Sequence, residues 1–312
     1  MEGSSFYNIG RLVTECHVYD SKKCLEWCQN IGLLPQSRLC LKCRRHMTIV
    51  SQESNISETA SFRCSKCRKK VSLYDGTVFS DARIPIGQIL TILYCFAHRF
   101  SYEDTNRESK FGQSDLSDHT ISRWFQVGRE AAINYVEDTH EESKMGGPGS
   151  VIEVDESMIG KRKFNKGRWV NGTWLLGFTD IHTGELRILK CPDNKRNAIA
   201  LLPVIREHVK RGTTIITDCW GAYNDLDQFG YNHLTVNHSD PNNPFINKKT
   251  GANTQAIESA WRAMKRRMCR GGVSKEELGD HLCEYLWQRD MKKKKLDPFI
   301  QLIKLLIQMV RA

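Results

Sequence analysis

Beyond residue 150 the apolar positions change period repeatedly. Residues 151–155 alternate, with Val151, Glu153 and Asp155 on one face of a strand. Two further runs, 174–181 and 185–190, flank His182-Thr-Gly184, a hairpin turn. Residues 197–209 carry helical spacing, 213–218 and 233–237 read as strands, and 253–268 and 275–290 read as helices. This order of three strands, helix, two strands and helix predicts a mixed α/β domain. It is compatible with an RNase H-like sheet, whose strand order a single sequence does not disclose.

The first half has another texture. Residues 1–35 read as helical up to Pro35, residues 36–80 as short strands and turns, and residues 81–145 as helices. Residues 145–150, Met-Gly-Gly-Pro-Gly-Ser, form a linker dense in turn formers. The expected organisation is an N-terminal helical segment (1–35), a zinc ribbon (36–80), a helical DNA-binding or linker region (81–145), a catalytic domain (151–290) and a basic amphipathic tail (291–312). Helices over 86–100 and 118–136, the second capped by Asp118 or Thr120, permit a helix-turn-helix. Ser122, Arg123, Gln126 and Arg129 would then be groove contacts; a packing bundle fits the same pattern. The amphipathic run 299–309 can dock on the core or on another subunit.

Charge narrows the partners. The 312 residues carry 46 Lys and Arg against 36 Asp and Glu, a formal +10, which favours a polyanion. The longest apolar stretch, residues 86–97, is far short of the roughly 20 residues a spanning helix needs. The opening MEGSSFYNIG has no basic segment followed by an apolar one, so no signal peptide is expected.

Seven of the twelve cysteines fall in the first quarter, which in a reducing compartment points to metal ligation. Cys40-Leu-Lys-Cys43 and Cys64-Ser-Lys-Cys67, twenty residues apart, have the spacing of a four-thiolate zinc ribbon. Residues 47–50 and 60–63 between them can pair as a hairpin. Arg38, Lys42, Arg44, Arg45, Arg63, Lys66, Arg68, Lys69 and Lys70 crowd these turns and suit phosphate contact. Cys24 and Cys28, four apart on a helix, are either small core residues or a second ligand pair with Cys16 and His17.

Three acidic residues stand where carboxylates are costly. Asp155 is expected to end the first strand of the α/β domain and Asp218 the fourth, while Glu258 lies in the helix 253–268. Ile257, Trp261, Met264 and Met268 make an apolar stripe on that helix; Glu258, Arg262 and Lys265 share the adjacent face. Clustered carboxylates repel, and divalent cations relieve this while supporting phosphodiester chemistry. Each residue also has an ordinary reading, as a turn, a cap or an ion-pair partner. Asp180 and Glu156 are not expected to be ligands, and His238 is either near the site or a loop residue. Residues 161–169 form a basic loop with two aromatics, Phe164 and Trp169, suited to DNA. The run 292–295 suits nuclear import, phosphate contact or solvation.

The motifs Val154-Asp-Glu-Ser157 with Ile159-Gly-Lys-Arg162, Thr217-Asp-Cys-Trp-Gly-Ala-Tyr223, Val236-Asn-His-Ser239 and Asn253-Thr-Gln-Ala-Ile-Glu-Ser-Ala-Trp261 with Lys265 resemble the DDE transposases of the Merlin (IS1016/IS1595-like, ISXO2-like) superfamily. The resemblance covers residues 36–290. It implies an RNase H-like core with Asp155, Asp218 and Glu258 as an acidic triad on Mg²⁺ (or Mn²⁺), beside the Zn²⁺ ribbon of Cys40, Cys43, Cys64 and Cys67. It implies cut-and-paste action on double-stranded DNA, both transposon ends and target, by a homodimer. Lys265 would hold a phosphate near the metals, with Lys161, Arg162, Lys163, Arg168, Arg262 and Arg266 as further DNA contacts. The compartment would be the nucleus in a eukaryote, or the cytoplasm and nucleoid in a bacterium. The alternatives are a domesticated DNA-binding regulator and an RNase H-like nuclease or resolvase.

Overall fold

The computed structural model describes residues 8–53, 58–110, 115–160, 172–240, 246–268 and 273–311. The chain forms two compact units, Met1–Asn134 with Met291–Ala312, and Tyr135–Asp290. The division falls within two helices, α5 (Asp118–Glu142) and α8 (Leu278–Lys293).

In the first unit, α1 (Ile9–Glu15) and α2 (Ser21–Asn30) are capped by the side chains of Asn8 and Asp20, which accept from Arg11 N and Lys23 N. A three-stranded antiparallel sheet follows, β1 (Thr48–Glu53), β2 (Glu58–Arg63) and β3 (Lys70–Ser72). Its register pairs Thr48 with Arg63 and Val50 with Ser61, as the expected hairpin requires. The apolar stretch becomes α3 (Ile86–Ala97), every residue of which is buried. It meets α4 (Tyr102–Ser109) and α9 (Pro298–Arg311), where Tyr94 and Phe299 stack edge to face at 5.6 Å. The amphipathic tail thus docks on the core of its own chain. Among the described residues no helix is long and apolar enough to cross a membrane.

The cap of α5 is neither Asp118 nor Thr120 but Ser117, whose Oγ accepts from Thr120 N at 3.2 Å. A serine hydroxyl reaches the third amide of a helix more readily than residues already inside the first turn. Arg129 is 8% exposed and bonded to Gln126, so burial removes it from the expected groove contacts. Arg123 is ion-paired with Asp81.

The second unit is built on a five-stranded sheet of order β6-β5-β4-β7-β8. The strands are β4 (Val151–Ile159), β5 (Thr173–Asp180), β6 (Leu186–Lys190), β7 (Thr214–Asp218) and β8 (Asn232–Val236). β4, β5 and β6 are antiparallel neighbours, while β7 lies parallel to β4 and β8 parallel to β7. Counting from β4, this is the order 3-2-1-4-5 of an RNase H-like sheet. Ile152, Val154, Leu176 and Phe178 face a core with Leu201 and Ile205 of α6 (Ala198–His208). The opposite face of β4 and β5 receives α7 (Gln255–Met268).

Two expectations change here. Asp155 does not end its strand: β4 runs on to Ile159, and Asp155 sits mid-strand opposite Gly177. The extension is held by pairing with β5, a non-local interaction that the local pattern does not encode. The expected linker is also fastened down. Met145 is 1% exposed, its N–H donates to His208 O, and its own carbonyl accepts from Lys210 N.

Candidate active site and metal centre

The β4–β7 ladder ends at the pair Glu153–Ile216. Beyond it the two parallel strands lack each other, and Asp155 on β4 and Asp218 at the end of β7 border the opening. Crevices outside the carboxyl ends of parallel strands are where α/β sheets commonly bind ligands.

α7 brings the third carboxylate. Its stripe of Ile257, Trp261, Met264 and Met268 is buried. Gly177 admits the Trp261 ring, because a Cβ there would lie 2.6 Å from it. The indole Nε1 then donates to Asp155 Oδ2 at 2.9 Å. Glu153, 1% exposed on the same strand face, accepts from Ile257 N at 2.8 Å and so ties down the α7 N-terminus. Glu258, one residue on, accepts from Thr254 Oγ1, which also meets His238 Nε2; both contacts are 3.2 Å. His238 is therefore linked to the acidic group through Thr254. Glu153 and Thr254 did not stand out in the sequence. The only signals were a charged residue on the inward strand face and a threonine just before a helix.

The electrostatics agree with this proximity. Burial raises the Asp155 pKa, the Trp261 donor lowers it, and Asp218 and Glu258 raise it further. Trp220 N donates to Asp218 Oδ1 at 3.0 Å. Glu156 projects to the other sheet face, where Tyr223 donates to it, and burial lifts its pKa to about 7. Asp180 accepts from His182 N and Thr183 N, as a hairpin-turn residue does.

Lys265 is half-buried, and Arg262 and Arg266 are exposed on α7. Arg262 donates to Ser259 Oγ at 3.2 Å. Lys161, Arg162, Lys163 and Arg168 lie outside the described residues.

The ribbon cysteines converge. Cys40, Cys43, Cys64 and Cys67 hold their sulfurs within 4.8 Å of one another, the one such ligand group among the described residues. Cys40 Sγ and Cys67 Sγ are 3.5 Å apart. A tetrahedral site with Zn–S bonds of 2.3 Å needs sulfurs about 3.8 Å apart. The knuckles match: Cys40 O accepts from Arg44 N and Cys64 O from Arg68 N, at 2.8 and 2.9 Å. Arg44 and Arg68 both take positive φ, 53° and 60°. Backbone N–H donors of Cys67 and Lys66 help draw the Cys64 pKa down to about 6, whereas desolvation and its thiol neighbours push Cys43 to about 12. The four thiols thus fit zinc. Cys16, Cys24 and Cys28 are fully buried, as Cys40 and Cys64 are, and burial with the Cys24 neighbour holds the Cys28 thiol well above its ordinary pKa. Among the described residues they do not form a second group of converging ligand atoms.

Fold and site define an RNase H-like α/β protein with acidic residues at its sheet crevice and a four-cysteine ribbon. Residues 146–290 match the ISXO2-like transposase domain. A transposase-like protein of Haemophilus influenzae is 31% identical over 110 residues, 33% of this chain and 83% of that protein. The chain belongs to the ISXO2-like (IS1595-like) transposase family. Among solved structures, the HTLV-2 integrase catalytic core domain in complex with magnesium aligns at 14% identity and TM-score 0.29, over 45% of this chain and 84% of that one. A chain of the simian T-cell lymphotropic virus intasome aligns at 12% identity and TM-score 0.30, over 46% of this chain and 49% of that one.

Proposed function

We propose that this chain is a metal-dependent DNA transposase with Asp155, Asp218 and Glu258 as its catalytic carboxylates. One observation carries the reading. The β4–β7 ladder ends just before Asp155, and the Trp261 bond docks the Glu258 helix against that same residue. These three carboxylates would hold Mg²⁺ or Mn²⁺, which supplies the Lewis acidity for phosphodiester hydrolysis and transfer. Charge repulsion within the group favours such a cation over the bare acids.

The chain's own residues do the positioning. Trp261 fixes Asp155, Thr254 with His238 fixes Glu258, and Trp220 N–H fixes Asp218. Lys265, Arg262 and Arg266, following Glu258 on α7, bind backbone phosphates; Lys161, Arg162, Lys163 and Arg168 are further DNA contacts. In the first step water attacks the phosphorus at a transposon end, and the P–O3′ bond breaks to leave a free 3′-hydroxyl. In the second, that hydroxyl attacks a target phosphodiester, and a target 3′-oxygen departs. Two ends must be held together, so the working form is a homodimer on double-stranded DNA. Zn²⁺ on Cys40, Cys43, Cys64 and Cys67 stabilises the ribbon.

The test is incubation of the protein with duplexes from the ends of its own element and Mg²⁺, mapping nicked and joined products. Asp155→Ala, Asp218→Ala and Glu258→Ala should each abolish cutting and leave end binding unchanged. Near wild-type cutting by any one of them removes that residue from the triad.

A further inference from the structure

A second constellation lies beside the carboxylates and is not absorbed by them. Arg196 is exposed, and its guanidinium lies over two indoles, 4.3 Å from the Trp174 ring and 5.0 Å from that of Trp220. Trp220 is the residue whose N–H holds Asp218, and its ring meets Tyr223, the donor to Glu156. Through Trp220 the guanidinium lies next to the residue that holds Asp218, toward the sheet face of Glu156.

The turn that delivers it is specially built. Asp193 and Asn194 adopt φ of 51° and 56°, a left-handed conformation uncommon for residues other than glycine. Asn194 then pins the start of β5: its Oδ1 accepts from Trp174 N at 2.6 Å and its Nδ2 donates to Gly172 O at 2.9 Å. The same asparagine fixes the backbone of Trp174 and aims Arg196 onto its ring. Among the described residues the Arg196 side chain has no hydrogen-bond or ion-pair partner. A guanidinium lying over aromatic rings can still present N–H donors, and a pair of them matches two phosphate oxygens. Holding the group over two indoles also removes rotamer freedom that a phosphate would otherwise have to quench.

We propose that Trp174, Arg196 and Trp220 form a phosphate clamp for the DNA strand entering the carboxylate site. Arg196 bonds one backbone phosphate bidentately, and the two tryptophans hold it in place. The inference rests on the DNA reading above and adds a binding residue outside the motifs that suggested it. Arg196 does no chemistry; it sets the register of the strand.

The experiment measures binding of a fluorescein-labelled DNA duplex by anisotropy from about 50 to 200 mM salt, without added magnesium, so that no cutting occurs. Each phosphate contact contributes about 0.9 to the slope of log K against log salt. Arg196→Gln should lower the slope by about that amount. Arg196→Lys, which keeps the charge but loses the stacked plane, should keep the slope and bind more weakly. Trp220→Leu tests the platform and should weaken binding in the same direction. An unchanged slope in Arg196→Gln, or an equal loss in Arg196→Lys, overturns the clamp. Because the readout needs no cleavage, it separates from the triad. An Asp218→Ala variant that still cuts would remove the catalytic assignment and leave the clamp standing, and the reverse result would leave the carboxylates.

Discussion

Trp261 joins packing to chemistry at the scale of one side chain. Its ring fills the space that Gly177 leaves on β5, and its N–H is spent on Asp155. Burying such a ring stabilises by about 1.5–3 kcal/mol, and the bond to a charged acceptor adds about 1.5–3 kcal/mol. Trp261→Phe keeps most of the first contribution and removes the second. The Trp261 bond lowers the Asp155 pKa, so its loss should raise that pKa further. The acid limb of the cutting rate should move to higher pH, half-maximal activity should need more Mg²⁺, and the thermal midpoint should fall by a few degrees for the lost bond. A pH–rate profile unmoved by the substitution would show that the indole only packs. The apolar stripe that buries Trp261 was legible in the helical spacing of Ile257, Trp261 and Met264. Its polar partner was not, because Asp155 lies 106 residues away. The same holds for Glu153 and Ile257, 104 residues apart. Local patterns carry which face is buried, but not which group across the interface receives a given donor.

Among elements, the two cysteine knuckles were the most legible, because their bonds are local. Each closes through a carbonyl that accepts from the amide four residues on, and each ends on an arginine at positive φ. The β1–β2 hairpin between them has only six paired positions and a third strand of three residues, little to fold alone. Metal binding should therefore supply much of the ribbon's folding free energy, on the scale of about 10–16 kcal/mol seen for structural zinc. Metal analysis should find about one zinc per chain. Mercurial titration of the thiols should release it, with loss of protection in β1–β3 by hydrogen exchange. Cys43→Ser and Cys67→Ser should purify without the metal. Full occupancy in either variant would exclude that ligand. By contrast β4 is longer than its local pattern implies, because Glu156, Ser157, Met158 and Ile159 acquire strand geometry only against β5. Ser117 is hard to single out as the cap because two other cap-forming residues follow it within three positions.

For the molecule as a whole, a net charge of +10 favours salt-sensitive association with a polyanion, but it does not set how stability responds to pH. That response has a source inside the second unit. Arg187, 1% exposed, donates to the carbonyls of His140 and Ser143 near the end of α5 and pairs with Glu185. His140 and His208 lie near this buried cation with rings 6.0 Å apart. Burial first, then Arg187 and His208, depresses His140 from 6.5 to about 4; burial also lowers His208. Below pH 6.5 the unfolded chain takes up protons that the folded chain refuses, so stability must rise with pH across this window. The His140 contribution is complete above pH 6.5 and is lost as pH falls toward 4. Thermal midpoints should therefore drop between pH 7 and pH 5 by more in the wild type than in His140→Gln, which has nothing to protonate. The drop should also persist at high salt, because the opposing charge is buried and poorly screened. Equal drops in the two proteins would place the acid sensitivity elsewhere, leaving Arg187 as a purely structural tie between the end of α5 and the sheet.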